Sequence, residues 1–503
     1  MTSSQSFQDK ELKILREAVD RVENQQQKKK LDSPEVKKII IIVERFLQRK
    51  KLICYGGTAI NNILPVQDQF YDKTVEIPDY DFFSPNALDD AKELADIYAK
   101  EGYEDVEAKA GVHHGTFKVF INFIPVADIT FINREIYKMM GRESIQVNGI
   151  RYAPPNYLRM AMYLELSRPN GDVSRWEKIL KRLILLNKNF PMRDPRCNHV
   201  NFIRDFEGNK EEQHVVYDTV KNSLIDQGLV FFGGFASSLY SKYMPTSQKD
   251  KLKEIPDFDV LSEDPQTSAT IVKERLKDIG LKKISIKRRG AIGEIISEHY
   301  EITVGKDTVC FIYRPLACHS YNTINLNGRK INIATIDTML SFYLAFLYAD
   351  RPYYDHERIL CMSQYLFSVQ AKNRLQQKGL LKRFTIKCFG KQKTLEDSRA
   401  EKTEKFKELS GNRNSREYED YFLRYMPNDK RSGARKSGAR KSGARKSGAR
   451  KSGARKSGAR KSGARKSGAR KSGARKSGAR KSGTRKKKQW KREKKKGGRT
   501  RKY

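Results

Sequence analysis

The sequence predicts an α/β fold in which one unit of helices and strands occurs twice in tandem, followed by a basic tail. Short apolar strands alternate with amphipathic helices through most of the 503 residues, a length that exceeds one hydrophobic core. A glycine pair, a helix and an Asp-x-Asp strand follow one another near residue 56 and again near residue 233. From Ser432 onward a five-residue unit repeats instead. These observations predict two related domains and a separate tail.

The positive charge is concentrated near the C-terminus. Residues 430–503 hold 34 Lys and Arg against one acid, Glu493, so they carry +33 of the net charge of +41 and leave +8 for the rest. Their unit Ser-Gly-Ala-Arg-Lys has no core-forming residue, which predicts a disordered tail. Dense Lys and Arg bind polyanions by releasing counterions, so the tail is expected to bind RNA or DNA. The alternative is that the repeat has no function and is merely tolerated.

The cysteines and the apolar runs predict an intracellular, soluble protein. The six cysteines are scattered without Cys-x-x-Cys spacing, which predicts buried thiols in a reducing compartment and neither a zinc site nor a disulfide framework. The longest apolar run, around residues 339–348, is too short to span a bilayer, and the N-terminus lacks an apolar signal core. No membrane partner is expected.

The first unit is predicted to begin after a charged N-terminal helical segment, residues 1–34. The sequence Asp32-Ser33-Pro34-Glu35 resembles a helix start, and the apolar residues that follow recur at helical spacing up to Leu47. Strand and helix patterns then alternate: strand 52–55, helix 58–64, strand 80–83, helix 87–102, strands 117–123 and 126–131, a hairpin turn at 147–150, and helices 157–167 and 174–187.

The second unit repeats this order but lacks one residue. Gly57 and Asp79 are 22 positions apart, and Gly234 and Asp257 are 23 apart. The second copy's equivalent of the strand containing Asp128 places Phe311 about where that aspartate should be. We therefore predict a complete first domain and a degenerate second one. The predicted boundaries are 1–34 for the N-terminal segment, 35–195 and 196–380 for the two domains, 381–429 for a charged extension and 430–503 for the tail.

Three aspartates and a glycine turn form the candidate site. Asp79 and Asp81 are separated by one residue, so a strand directs both side chains to the same face, and Asp128 on a neighbouring strand adds a third carboxylate. Oxygen ligands select hard ions such as Mg²⁺ or Mn²⁺. Gly56 and Gly57 before a helix leave backbone N–H groups open to phosphates. A lone Asp-x-Asp or Gly-Gly is common, and it is their order that favours a metal site.

These motifs resemble the DNA polymerase β-type nucleotidyltransferase superfamily. More narrowly, the chain is similar to the catalytic subunits of viral poly(A) polymerases of the poxvirus type, as found in giant DNA viruses. The residues that carry the resemblance are Gly56-Gly57-Thr58, Ile77-Pro78-Asp79-Tyr80-Asp81-Phe82-Phe83, Val126-Ala127-Asp128-Ile129, Leu166-Ser167-Arg168-Pro169 and the stretch 175–182. The resemblance covers roughly residues 35–370, includes an inactive second domain, and leaves out the tail.

The resemblance implies transfer of AMP from ATP to the 3′ end of viral mRNA, with Mg²⁺ or Mn²⁺ as cofactor, in the virion and host cytoplasm. It implies that Asp79, Asp81 and Asp128 are the catalytic metal ligands. Six further residues are expected to contact the nucleotide: Gly56, Gly57, Thr58, Arg168, Lys178 and Lys181. For the three cations, solvated surface is the alternative. A homodimer or a processivity subunit is an expected partner.

Two other functions fit the same sequence. The first is another template-independent RNA nucleotidyltransferase, a uridylyl- or CCA-adding enzyme, because the residues that choose the base cannot be identified from the motifs. The second is a nucleic-acid-packaging protein without enzymatic activity, in which the tail is functional and the aspartates are residual.

Overall fold

The computed structural model describes residues 11–19, 21–22, 33–71, 78–198, 210–244 and 257–428. The chain divides into two compact units, Met1–Lys436 and Ser437–Tyr503, and the structural statements below concern the first. The predicted disordered tail, residues 430–503, lies outside the described residues. Of the predicted N-terminal helical segment, residues 11–19 and 21–22 are helical.

The first half of this unit is organised around a mixed sheet. Its strands are β1 (Ile53–Cys54), β2 (Tyr80–Ser84), β3 (Val106–Ala110), β4 (Thr116–Ile121), β5 (Ile124–Phe131), β6 (Ile145–Val147) and β7 (Ile150–Tyr152). The strands lie side by side in the order β3-β4-β5-β2-β1-β7-β6. β2 runs parallel to β5 and antiparallel to β1, so the Asp-x-Asp strand lies in the middle of the sheet.

Helices pack around this sheet and complete its core. They are α1 (Pro34–Lys50), α2 (Gly56–Ile63), α3 (Ala87–Lys100), α4 (Arg134–Arg142), α5 (Pro155–Leu166) and α6 (Trp176–Asn189). The prediction of an amphipathic first helix is confirmed, because its apolar residues Val36, Ile39, Val43, Phe46 and Leu47 are all buried. α4 was not predicted.

The second half repeats the first. Its elements are α7 (Lys210–Asp226), β8 (Val230–Phe231), α8 (Gly234–Leu239), β9 (Phe258–Leu261), α9 (Pro265–Asp278), β10 (Ile284–Arg289), β11 (His299–Val304), β12 (Asp307–Tyr313), β13 (His319–Leu326), β14 (Arg329–Ala334), α10 (Ile336–Phe346) and α11 (His356–Lys372). Its strand order, β10-β11-β12-β9-β8-β14-β13, corresponds strand for strand to the first sheet. The predicted tandem α/β architecture is therefore confirmed.

The predicted hairpin turn at 147–150 and its counterpart at 326–329 in the second sheet have the same backbone conformation. Asn148 and Gly149 have φ values of 51° and 78°, and Asn327 and Gly328 have values of 51° and 81°. Positive φ at both central residues is the geometry for which Asn-Gly is selected in tight hairpins. Each turn leads into a strand that runs parallel to the first strand of its own sheet.

The segment after residue 380 is folded and returns to the first sheet. It contains β15 (Cys388–Phe389), α12 (Leu395–Leu409), α13 (Arg416–Phe422) and β16 (Arg424–Tyr425). β15 extends the second sheet beyond β13, whereas β16 pairs with β3 at the edge of the first. Lys92 on α3 forms an ion pair with Glu419 at 2.7 Å. The charged extension thus joins the edges of both sheets.

The expectation of six free thiols is wrong for four of them. Cys197 is bonded to Cys361, and Cys318 to Cys388, across sequence separations of 164 and 70 residues. Both Cα pairs are 5.1 Å apart. Partners so far apart are brought together only by the tertiary fold, which the spacing of cysteines does not reveal. Cys54 and Cys310 are free and buried.

The two halves are packed directly on each other. Tyr163 on α5 donates a hydrogen bond to Gln370 Oε1 at 3.1 Å, and the Tyr157 ring lies 5.2 Å from that of Tyr348. Ser320 N donates to Ser167 O at 2.8 Å. Across the described ranges, no helix is long and apolar enough to span a bilayer.

Candidate active site

Two neighbouring parallel strands bring the three predicted aspartates together. In the register of β2 and β5, Asp81 lies directly beside Asp128. Asp79 immediately precedes β2 and, two positions from Asp81, faces the same side of the sheet. Asp81 and Asp128 are half-buried, and Asp79 is more exposed than either although surrounding groups still cover part of it. The arrangement leaves the cluster accessible from one side.

The electrostatics of this cluster indicate a shortage of positive charge. Burial, and then the negative charges of Asp79 and Asp128, raise the pKa of Asp81 to about 7. Burial and the charge of Asp128 also raise the pKa of Asp79. Carboxylates that disfavour each other's ionisation in this way are stabilised by a bound cation.

Lys118 supplies part of that missing charge. It lies opposite Asp128 in the antiparallel pair of β4 and β5, and its ammonium forms an ion pair with Asp128 Oδ2. In the part of the chain that the structure describes, no group of three or more His, Cys, Asp or Glu side chains is already arranged as a metal cage. The donor set nevertheless fits a hard divalent ion, because three carboxylates share one face and a lysine counters their charge.

The glycine pair is required where the turn meets the aspartates. Gly56 has φ of +75°, and a Cβ there would lie 2.7 Å from Asp81 Oδ2. Tyr55 N donates to Asp81 O at 2.9 Å, which ties the turn to the Asp-x-Asp strand. A Cβ on Gly57 would lie 2.9 Å from Arg182 Nη2. The first residues of α2 therefore lie between Asp81 and a cationic side chain.

Thr58 holds the turn in place. Its Oγ1 donates a 2.7 Å hydrogen bond to the backbone carbonyl of Asp79. The hydroxyl thus spans the two motifs and fixes Asp79 relative to the start of α2.

One face of α6 provides the site's cations. Arg182 is buried above Gly57 and donates to Tyr71 Oη at 2.5 Å. The positive charge of Arg175 lowers the pKa of Asp81. Lys178 lines a cavity together with Thr58. Positions 175, 178 and 182 are spaced i, i+3 and i+7, so they project from the same side of the helix.

Two of the predicted phosphate contacts lie elsewhere. Lys181 forms a 2.6 Å ion pair with Glu177, and its side chain is 72% exposed, so it belongs to the solvent face of α6. Arg168 is directed into the interior beside His319 of the second sheet, where burial lowers its pKa and its Nε has no hydrogen-bond partner among the described residues. The structure brings neither residue to the aspartates.

Sequence reasoning missed Lys118, Arg175 and Arg182. The helical phase of α6 could have identified both arginines, because they share a face with Lys178. Lys118 becomes visible only once the register of β4 against β5 is known.

A cavity of about 520 Å³ opens beside the aspartates. Its wall includes Thr58, Asp79 and Lys178, and Glu44 and Asn148 lie on the side of α1 and the β6–β7 hairpin. The volume falls within the range of typical small-molecule sites.

The described residues of the second half form no equivalent centre. In the register of β9 and β12, Phe311 lies beside Asp259, which confirms that it replaces Asp128. Arg358 Nη2 donates to Asp257 Oδ1 at 3.1 Å, and aromatic rings leave a cavity of only about 50 Å³. An arginine and a phenylalanine thus take the places of a cation and of one of its ligands.

Known proteins resemble this chain in both sequence and fold. Residues 41–172 match the family model "Poly(A) polymerase catalytic subunit". A protein of African swine fever virus (strain Badajoz 1971 Vero-adapted) that carries the name of a poly(A) polymerase catalytic subunit is 32% identical over 172 residues, 33% of this chain and 36% of that protein. One from Acanthamoeba polyphaga mimivirus is 29% identical over 164 residues, 32% of this chain and 28% of that protein.

These sequence matches span about a third of the length of the curated relatives. The structural likeness is more extensive. The Megavirus polyadenylate synthase superimposes with a TM-score of 0.71 at 19% identity, over 85% of this chain and 87% of that one. Residues 41–172 are thus similar to the poly(A) polymerase catalytic subunit family, and the chain shares its fold with a viral polyadenylate synthase.

Proposed function

We propose that the protein is a polynucleotide adenylyltransferase that adds AMP from ATP to the 3′ end of viral mRNA. The observation that carries this proposal is the meeting of Asp79, Asp81 and Asp128 at the Gly56–Gly57 helix start, with Arg182 above it. The similarity of residues 41–172 to poly(A) polymerase catalytic subunits supports adenylyl transfer in particular.

The carboxylates would hold Mg²⁺ or Mn²⁺. Asp79 and Asp81 lie where they could bind both ions of a pair, and Asp128 one of them. Bound there, such ions would activate the RNA 3′ hydroxyl and stabilise the leaving pyrophosphate. Lys118 balances the charge of Asp128 in the protein alone, and its flexible side chain can withdraw when a cation binds.

The remaining groups would bind and orient ATP. The open N–H groups at the start of α2 attract phosphates, because the helix dipole is positive there. Arg175, Lys178 and Arg182 line the same side of α6 and would neutralise the triphosphate. The cavity beside Thr58 and Asp79 is large enough for a nucleotide. Thr58 acts here by positioning Asp79.

The second half is proposed to be a scaffold or an RNA-holding module. Its sheet retains the fold, but Phe311 and the Arg358–Asp257 ion pair occupy the equivalent site. We also propose that the enzyme acts in the virion and host cytoplasm, with a homodimer or a processivity subunit as its partner. The basic tail would add RNA or DNA affinity.

A matched pair of variants tests the assignment. Asp81→Asn should reduce AMP incorporation into a labelled RNA at least about a thousandfold, because one oxygen ligand of the cation is lost. Asp259→Asn changes the equivalent residue of the second half and should retain most activity. Near-normal incorporation by Asp81→Asn, with its thermal midpoint unchanged, would refute the assignment.

A further inference from the structure

A long cationic segment begins within α11 and continues beyond it. From Arg358 to Leu395 the chain contains nine Lys and Arg and no Asp or Glu. Arg358 and Arg383 point inward to Asp257 and Asp337, and the remaining seven are exposed. Although Lys393 pairs with Glu401, so many exposed cations in a stretch that itself contains no acid indicate a surface for a polyanion.

Along residues 382–386 of this segment, exposed and buried side chains alternate. Lys382, Phe384 and Ile386 are exposed, whereas Arg383 and Thr385 between them are buried. Phe384 is 38% exposed and Ile386 89% exposed, which is high for side chains that gain by burial. The backbone therefore displays a cation, an aromatic ring and an apolar side chain on one face.

The buried residues anchor this face. Arg383 Nε and Nη2 donate to the carboxylate of Asp337 at 2.8 and 2.6 Å, a two-pronged contact in the interior. Asn322 Nδ2 donates to Lys382 O at 2.7 Å, and Tyr321 N donates to Lys387 O at 3.2 Å. The exposed groups are thus held in place before any ligand arrives, which lowers the cost of binding.

The displayed face connects to the candidate active site through Trp176. The rings of Trp176 and Phe384 lie 5.9 Å apart, and the indole N–H donates to Glu165 O at 3.0 Å. The preceding residue, Arg175, acts electrostatically on Asp81. Trp176 thus links the displayed face to Arg175, a cation that acts on the aspartates.

We propose that Trp176, Lys382, Phe384, Ile386 and Lys387, here called the aromatic–basic strip, bind the single-stranded RNA upstream of the 3′ end. This inference rests on the proposed function, because it takes the RNA end to lie at the aspartates. Aromatic rings stack on any unpaired base, and cations follow the phosphates, so the strip binds single strands with little sequence preference.

The first test measures RNA affinity of the full chain. Phe384→Leu should weaken binding of a labelled unstructured RNA about tenfold, whereas Phe384→Trp should restore it, since stacking needs an aromatic ring. Phe123, 86% exposed on the β4–β5 turn, provides the matched control Phe123→Leu, with no expected loss. Equal affinity of the Phe384→Leu variant and the unchanged chain would overturn the proposal and leave this surface to a protein partner.

The second test measures the salt dependence of the same binding. Lys382→Gln combined with Lys387→Gln should reduce the slope of log affinity against log salt by about 1.4, since each phosphate contact on a single strand contributes about 0.7. Lys282→Gln with Lys283→Gln, two exposed cations beside β10 at the other edge of the sheet, should leave the slope unchanged. Equal slopes in the two double variants would contradict the proposed phosphate contacts.

A spectroscopic test does not depend on catalysis. The chain has two tryptophans, so Trp490→Phe leaves Trp176 as the sole indole emitter. RNA should quench that emission, and Phe384→Leu should reduce the quenching. If RNA quenches the Trp176 emission of this variant but the unchanged protein incorporates no nucleotide, the proposed function is wrong. RNA binding by the strip is then still supported. If the unchanged protein incorporates nucleotide but RNA does not quench the emission, only the RNA-binding role of the strip is refuted.

Discussion

Gly57 is the residue at which the glycine turn comes closest to the cations of α6. A Cβ there would lie 2.9 Å from Arg182 Nη2 and would also press on the Tyr71 hydroxyl. Even one methyl group must therefore displace the guanidinium that we assign to the triphosphate, although the backbone itself tolerates alanine.

Gly57→Ala should therefore lower kcat/KM for ATP about tenfold or more while the protein remains folded. Steady-state kinetics over a range of ATP concentrations measures the effect. Gly290→Ala is the matched control, because a Cβ there meets nothing within 4 Å. Unchanged kinetics of the Gly57→Ala variant would exclude a close contact between this turn and ATP.

Asp81 predicts a particular pH dependence of the metal-free protein. Its pKa of about 7 lies above the usual value of 3.8, so the folded state favours the protonated form. The folded state then holds more protons than the unfolded one between these pH values, and the free energy of unfolding falls as pH rises from about 4 to 7.

With a chelator present, Asp81→Asn should remove this part of the fall. Denaturant titrations at pH 5 and pH 8 test the prediction: the variant should be more stable, relative to the unchanged chain, at pH 8 than at pH 5. The same difference at both pH values would mean that neither burial nor the neighbouring carboxylates raise the pKa of Asp81 in the folded protein.

At the scale of elements, α6 directs the neighbouring side chains of Lys181 and Arg182 to different sides of the helix. Arg182 faces Gly57 and Tyr71, whereas Lys181 pairs with Glu177 on the solvent side. Adjacent positions on a helix point about 100° apart, so the assignment of side chains to the site depends on helical phase. The cationic character of the stretch 174–187 alone did not distinguish them.

Arg182→Gln should raise KM for ATP about tenfold or more, since a charge-assisted contact to phosphate would be lost. Lys181→Gln, one position away on the same helix, should leave KM within about twofold, because exposed ion pairs contribute little. Equal effects of the two substitutions would show that α6 acts only through its overall charge.

The register of strands explains which parts of the site were predictable. Asp128 and its replacement by Phe311 could be predicted because the repeat aligns the two copies and β2 lies beside β5 in the same register as β9 beside β12. Lys118 could not, because it is adjacent to Asp128 only across the β4–β5 pair. Local periodicity does not determine such cross-strand neighbours.

At the scale of the whole molecule, the tandem order of the motifs predicted the architecture. It did not predict the contacts that join parts distant in sequence. Alternating patterns and the two Asn-Gly turns are local signals, and both sheets follow them. The return of β16 to β3 and the Cys197–Cys361 and Cys318–Cys388 bonds join parts that are distant in sequence. No periodic signal in the sequence encodes them.

The division of roles between the two halves is the central claim for the whole molecule. The first half has three carboxylates, a glycine turn and a cavity of about 520 Å³, whereas the second has an ion pair, a phenylalanine and about 50 Å³. On the proposed function, one fold is used once for chemistry and once for support or for holding RNA.

The most direct test incubates the purified full chain with labelled RNA, Mg²⁺ or Mn²⁺, and each of the four nucleoside triphosphates separately. The account predicts long products with ATP alone, and none from an Asp128→Asn variant that retains its thermal midpoint. Extension with another nucleotide would indicate a uridylyl- or CCA-adding enzyme. No incorporation at all, or equal incorporation by Asp128→Asn, would contradict the account.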